Sequence, residues 1–64
     1  MKSFKMRNGN GEVVAMLEID ERDGLFNVFV TEAHNLGRFI GVYNTYKQAL
    51  RIRREQQAFY KMVM

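Results

Sequence analysis

The chain changes its periodicity once, at Asn44-Thr45, and that single switch limits the folds open to it. Upstream, apolar residues alternate with polar ones. Phe4 and Met6 are interleaved with Lys5 and Arg7; Val13, Ala15, Leu17 and Ile19 share one parity; Phe26, Val28 and Val30 share another. Period two is the mark of a strand with one face on a core. Turn signals separate these runs at Asn8-Gly9-Asn10-Gly11, at Asp20-Glu21-Arg22-Asp23-Gly24 and at His34-Asn35-Leu36-Gly37, where Asn, Asp and Gly accept positive φ at little cost. Downstream, Thr45-Tyr46-Lys47-Gln48 forms a capping box. From Tyr46 onward there is no Gly or Pro, and good helix formers dominate. The pattern predicts strands near residues 4–7, 12–20, 25–31 and 38–43, then a helix from about Tyr46 to about Met62. The expected fold is α+β: a three- or four-stranded antiparallel meander packed against one C-terminal helix, as a single small domain over residues 1–64.

A domain of 64 residues buries only about 60% of the surface its unfolded chain exposes. Many such chains are stapled by disulfides or a metal. This one has no cysteine and one histidine, which removes disulfides and thiolate zinc sites and fits a reducing, cytoplasmic setting. No apolar run approaches the ~18 residues of a membrane span, and Met1-Lys2-Ser3-Phe4-Lys5 leads into no apolar stretch of the signal-peptide kind. Catalytic constellations are absent. Ser3 is the only serine, so no Ser/His/Asp or Cys/His set exists. Asn8-Gly9-Asn10-Gly11 precedes a strand and lacks the Lys-Ser/Thr of a phosphate-binding loop. Asp20, Glu21 and Asp23 lack the ligand spacing of a calcium loop. His34 reads as a solvent-facing turn residue. The expectation is a non-enzymatic protein without cofactor or metal.

Net charge is +3, and it is unevenly placed. Residues 1–43 sum to −1; residues 44–64 carry Lys47, Arg51, Arg53, Arg54 and Lys61 against Glu55 alone. At about 100° per residue, Tyr46, Ala49, Leu50, Ile52, Phe59, Tyr60 and Val63 fall on one wide side of the helix. Lys47, Arg51, Arg54 and Lys61 gather with Ala58 on the other. Arg53, Gln56 and Gln57 fall inside the apolar arc. A helix of this length, ~25 Å, exceeds a typical strand of ~17–20 Å, so its last turn is expected to overhang the sheet.

The run Ile40-Gly41-Val42-Tyr43-Asn44-Thr45-Tyr46-Lys47-Gln48-Ala49 resembles a pattern of the AP2/ERF-like and integrase arm-type DNA-binding domains, Leu-Gly-x-Phe-x-Thr-x-Glu-Glu-Ala. Gly24-Leu25-Phe26-Asn27-Val28-Phe29-Val30 is similar to their Gly-x-Trp-x-Ala-x-Ile strand. The resemblance covers about Gly24 to Gln57 and implies a three-stranded sheet on one helix. It also implies DNA contact through the sheet face turned from the helix. That face departs from the pattern here. By parity it carries Val14, Met16, Glu18, Asn27, Phe29, Thr31, Arg38, Ile40 and Val42, which is apolar rather than cationic, whereas affinity for a duplex comes largely from cations on phosphates.

Two functions follow. The first is nucleic-acid binding, most simply DNA, through Lys47, Arg51, Arg54 and Lys61, with Arg38, Lys5 and Arg7 as additions. The second is a protein-interaction module docking through Val14, Met16, Phe29, Ile40 and Val42. Its partner would be a second copy, as a homodimer, or a nucleic-acid-handling protein that it inhibits, as small phage and mobile-element proteins do.

Overall fold

A computed structural model describes residues 1–33 and 37–63. Four strands precede one helix: β1 (Lys2–Arg7), β2 (Val13–Arg22), β3 (Leu25–Glu32), β4 (Arg38–Tyr43) and α1 (Tyr46–Val63). The strands form one antiparallel sheet in the order β1-β2-β3-β4, and α1 packs on one face. This is the α+β meander that the periodicity predicts.

Each connection has a local cause. Between β1 and β2, Asn8 organises the turn. Its Oδ1 accepts from the N–H groups of Asn10 (2.9 Å) and Glu12 (3.0 Å), and its Nδ2 donates to Glu12 Oε1 at 3.1 Å. Asn8 is accordingly the one buried polar residue among those described, and its burial is tolerable because its bonds are made. Between β2 and β3, Arg22 pairs with Leu25, leaving a two-residue loop. Asp23 (φ 56°) and Gly24 (φ 76°) are both left-handed, as a type I′ hairpin demands. This tight loop lets β2 run to Arg22, two residues beyond the expected end. The turn expected at His34 to Gly37 lies, except for Gly37, outside the described residues. At the start of α1 the capping box is formed: Thr45 Oγ1 accepts from Gln48 N at 3.1 Å, and Gln48 Oε1 accepts from Thr45 N at 3.2 Å and Asn44 N at 3.0 Å.

The core between sheet and helix is Met6, Ala15, Leu17, Ile19, Val28, Val30, Ala49 and Tyr60. Fully burying each large aliphatic side chain stabilises the fold by about 1.5–3 kcal/mol. The helix is seated along β1. Lys2 Nζ lies 5.2 Å from the Tyr46 ring centroid, the Arg53 guanidinium lies 4.8 Å over the Phe4 ring, and Gln57 bonds Arg7. A Cβ on Gly9 would come within 3.3 Å of the Lys61 carbonyl. At 18 residues α1 is about 27 Å long. Its final turns do not simply overhang: Tyr60 is wholly buried, while Phe59, Met62 and Val63 around it are exposed.

Two β-bulges break the alternation, and each adds one residue to one strand. Met6 pairs with Ala15 but Arg7 pairs with Val13, so β2 bulges at Val14. Val28 pairs with Gly41 but Phe29 pairs with Phe39, so β4 bulges at Ile40. A bulge shifts the parity of everything beyond it, with consequences for the surface below.

Candidate nucleic-acid interface

Lys47, Arg51, Arg54 and Lys61 are all exposed. The helical period that buries Ala49 and Tyr60 forces them to the far side. Among the described residues their one acidic neighbour within ion-pair reach is Glu55, 3.8 Å from Arg51, with both side chains more than half exposed; such a pair contributes little and leaves the cation available. Because α1 lies over β1, two strand cations extend the ridge. Lys2 covers Tyr46 beside its first residue Lys47. At the other end, Arg7 and Lys61 share the rim of one open cavity with Asn8, Gly9, Gly11 and Gln57, where Arg7 Nη1 also donates to the Gly11 carbonyl at 2.8 Å. The result is a basic strip of six residues about as long as the helix.

Arg38 does not belong to this strip. Its cross-strand partner is Val30, which is buried under the helix, so Arg38 points to the helix side and sits with Glu32 beside the Tyr60 hydroxyl. The parity expected for it was reversed by the bulge at Ile40. Lys5 pairs with Met16 and belongs to the opposite sheet face.

The inward stripe of α1 is polar in its middle, as its rotation predicts. The Arg53 Nε, Gln56 Oε1 and Tyr60 hydroxyl are buried without a hydrogen-bond partner among the described residues. Burial pushes the Tyr60 phenol above its usual 10.0, and the nearby Glu32 carboxylate adds to this while Arg38 opposes it.

The outer sheet face also differs from its expected membership. Met16, Phe29 and Val42 lie on it, but Ile40 is packed against the core because the bulge rotates it inward, and Val14, at the other bulge, leans on the core as well. In their place Phe39 emerges. It stands opposite Phe29 with ring centroids 5.3 Å apart and interplanar angle 59°, and is 53% exposed. Cross-strand rows place Ser3 and Glu18 beside this pair and Asp20 and Asn27 beside Val42. The outer face is therefore apolar with a margin of mixed charge: Glu18 and Asp20 against Lys5 and Arg22, the last of which pairs with Asp20 at 3.3 Å.

Among the described residues no group of three or more His, Cys, Asp or Glu could hold a metal ion, and no helix is long and apolar enough to cross a membrane. His34 lies outside the described residues. No family model, curated protein or solved structure matches the chain.

Proposed function

We propose that the chain is a non-enzymatic nucleic-acid-binding protein whose contact surface is the strip Lys2, Arg7, Lys47, Arg51, Arg54 and Lys61. The observation that carries this reading is the segregation of charge: the ridge is exposed along the whole helix, has Glu55 as its one acidic neighbour among the described residues, and gains a strand cation at each end. A strip of this kind binds phosphates by releasing their counterions. The resemblance to AP2/ERF-like and integrase arm-type domains agrees in ligand class, but the surface proposed here is the helix, not the sheet. The deciding experiment is fluorescence anisotropy with a labelled duplex and a labelled single strand at low salt. Binding of either that weakens with salt, and weakens again in Arg51→Gln/Arg54→Gln, supports the reading. Absence of binding to both at high protein concentration overturns it.

A second reading rests on the outer face, where Phe39 and Val42 are exposed beside Phe29 and Met16. Contiguous apolar surface of this kind suits a protein partner, and its margin of mixed charge, with Asp20 already paired to Arg22, favours neither sign. In that reading the chain is an interaction module, an inhibitor of a nucleic-acid-handling protein being one form. The charged margin disfavours face-to-face pairing of two copies, because each copy would bury its own carboxylates.

A further inference from the structure

A cavity of about 370 Å³ opens at the end of the basic strip where α1 begins, lined by Met1, Lys2, Ile19, Glu21, Phe26 and Tyr46. Its walls are unlike the rest of the strip. The half-buried rings of Phe26 and Tyr46 meet at 55° with centroids 5.8 Å apart, and Ile19, 2% exposed, forms an apolar floor. Two charges of opposite sign share the rim. Lys2 is a donor only, set over the Tyr46 ring. Glu21, exposed at the end of β2, is an acceptor only when ionised. A phosphate gains nothing from that carboxylate. A planar heterocycle that stacks on an aromatic ring and offers both a carbonyl oxygen and an amino group matches the two rings, the lysine and the carboxylate.

We infer that this cavity seats one unpaired nucleobase bearing an exocyclic amino group, with Tyr46 and Phe26 as the stacking surface, Glu21 accepting from the amino group and the Lys2 ammonium, displaced from over the Tyr46 ring by the base, donating to the ring carbonyl. This inference rests on the nucleic-acid reading and narrows it to single strands. The strand's phosphates leave the cavity along Lys47, Arg51 and Arg54. A duplex supplies the phosphates but keeps its bases stacked in the helix, so it fills the strip and not the cavity. Aromatic platforms beside cationic grooves are the common equipment of single-strand binding, and loss of one stacked base weakens binding by roughly fivefold to more than a hundredfold.

The test compares four ligands of equal length by anisotropy on the wild-type chain: a cytosine-rich single strand, a thymine-only single strand, an abasic phosphate–sugar strand and a duplex. The expected order places the cytosine-rich strand at least about fivefold tighter than the abasic strand and the duplex, with thymine between. Tyr46→Leu, whose folding is checked by circular dichroism, lowers cytosine-strand affinity to the abasic level, and Glu21→Gln narrows the gap between cytosine and thymine. Equal binding of the abasic strand and the cytosine-rich strand overturns the base seat and leaves the basic strip standing, a conclusion that does not depend on either variant folding. Failure of all four to bind overturns both proposals together.

Discussion

Gln57 holds the backbone of Arg7 by both of its polar groups: its Oε1 accepts from the Arg7 N–H at 3.0 Å, and its Nε2 donates to the Arg7 carbonyl at 2.7 Å. A carboxamide is the one side chain that mimics a neighbouring strand in this way, with one donor and one acceptor side by side. The bonds span fifty positions of chain and tie the sheet edge to the helix.

Gln57→Ala removes both bonds and is expected to lower stability by about 1–2 kcal/mol, the net worth of two partly exposed hydrogen bonds. Gln57→Glu is nearly the same shape, yet is expected to be no better than Ala, because a carboxylate then faces the Arg7 carbonyl. Urea denaturation of the two variants measures this; a Glu variant as stable as wild type contradicts the two-point clamp.

The cap at the helix start has its own test. Thr45 Oγ1 accepts from Gln48 N at 3.1 Å, and Thr45→Ala is expected to cost about 0.5–2 kcal/mol. Thr45→Asp should retain most of the stability, since its side-chain oxygen replaces the hydroxyl as acceptor. Thermal melts followed at 222 nm distinguish the two.

Tyr60 gives the fold an alkaline limit. Its phenol is raised above 10.0 in the folded chain, so the unfolded chain releases that proton at lower pH than the folded one does. The stability tied to the neutral phenol is therefore intact below pH 10 and is lost as pH climbs through the raised folded value. Tyr60→Phe should abolish this component of the alkaline loss. At neutral pH it should change stability by less than about 1 kcal/mol, because the hydroxyl it deletes has no hydrogen-bond partner among the described residues. Melting temperature against pH for both proteins is the measurement.

Arg53 is the inward cation, stacked on Phe4 with its Nε unpaired. Arg53→Met keeps the length and drops the charge, and is expected to be neutral or stabilising, because the guanidinium is half-buried with its Nε unsatisfied among the described residues while a thioether chain keeps the packing on Phe4. It should leave the salt dependence of nucleic-acid binding unchanged. Arg51→Gln/Arg54→Gln should lower the slope of log affinity against log salt by roughly 1.4 for a single strand or 1.8 for a duplex. An Arg53 variant that alters the slope would move the contact surface off the ridge.

How far the sequence could be read depended on whether counting stayed in register. The helix has no insertions, so rotation by 100° assigned Lys47, Arg51, Arg54 and Lys61 to solvent and Arg53 and Gln56 inward. The turn between β2 and β3 was legible as the polar run Asp20 to Gly24, but its tight form was not: only Asp23 and Gly24, both left-handed, make the loop, and Asp20 to Arg22 stay in the strand. The sheet faces were legible only up to the bulges. Beyond the one at Ile40, a count by twos puts Arg38 on the outer face and hides Phe39 from it. A signal was present: Phe39 and Ile40 are consecutive large apolar residues followed by Gly41, and a glycine inside a strand often marks a bulge or a close approach. The approach is real here, since Tyr43 lies over Gly41 so closely that a Cβ would meet the tyrosine oxygen at 2.8 Å. The clamp from Gln57 to Arg7 had no comparable signal, because nothing local in either segment names a partner fifty residues away.

The seating of α1 along β1 sets the order in which the molecule can be completed. All four strands are synthesised before the first helical residue exists, and the apolar face of Met6, Leu17 and Val28 is covered only as α1 follows, from Ala49 to Tyr60. A chain paused before α1 is complete presents an uncovered apolar sheet face, the form in which small β-rich intermediates are most apt to associate.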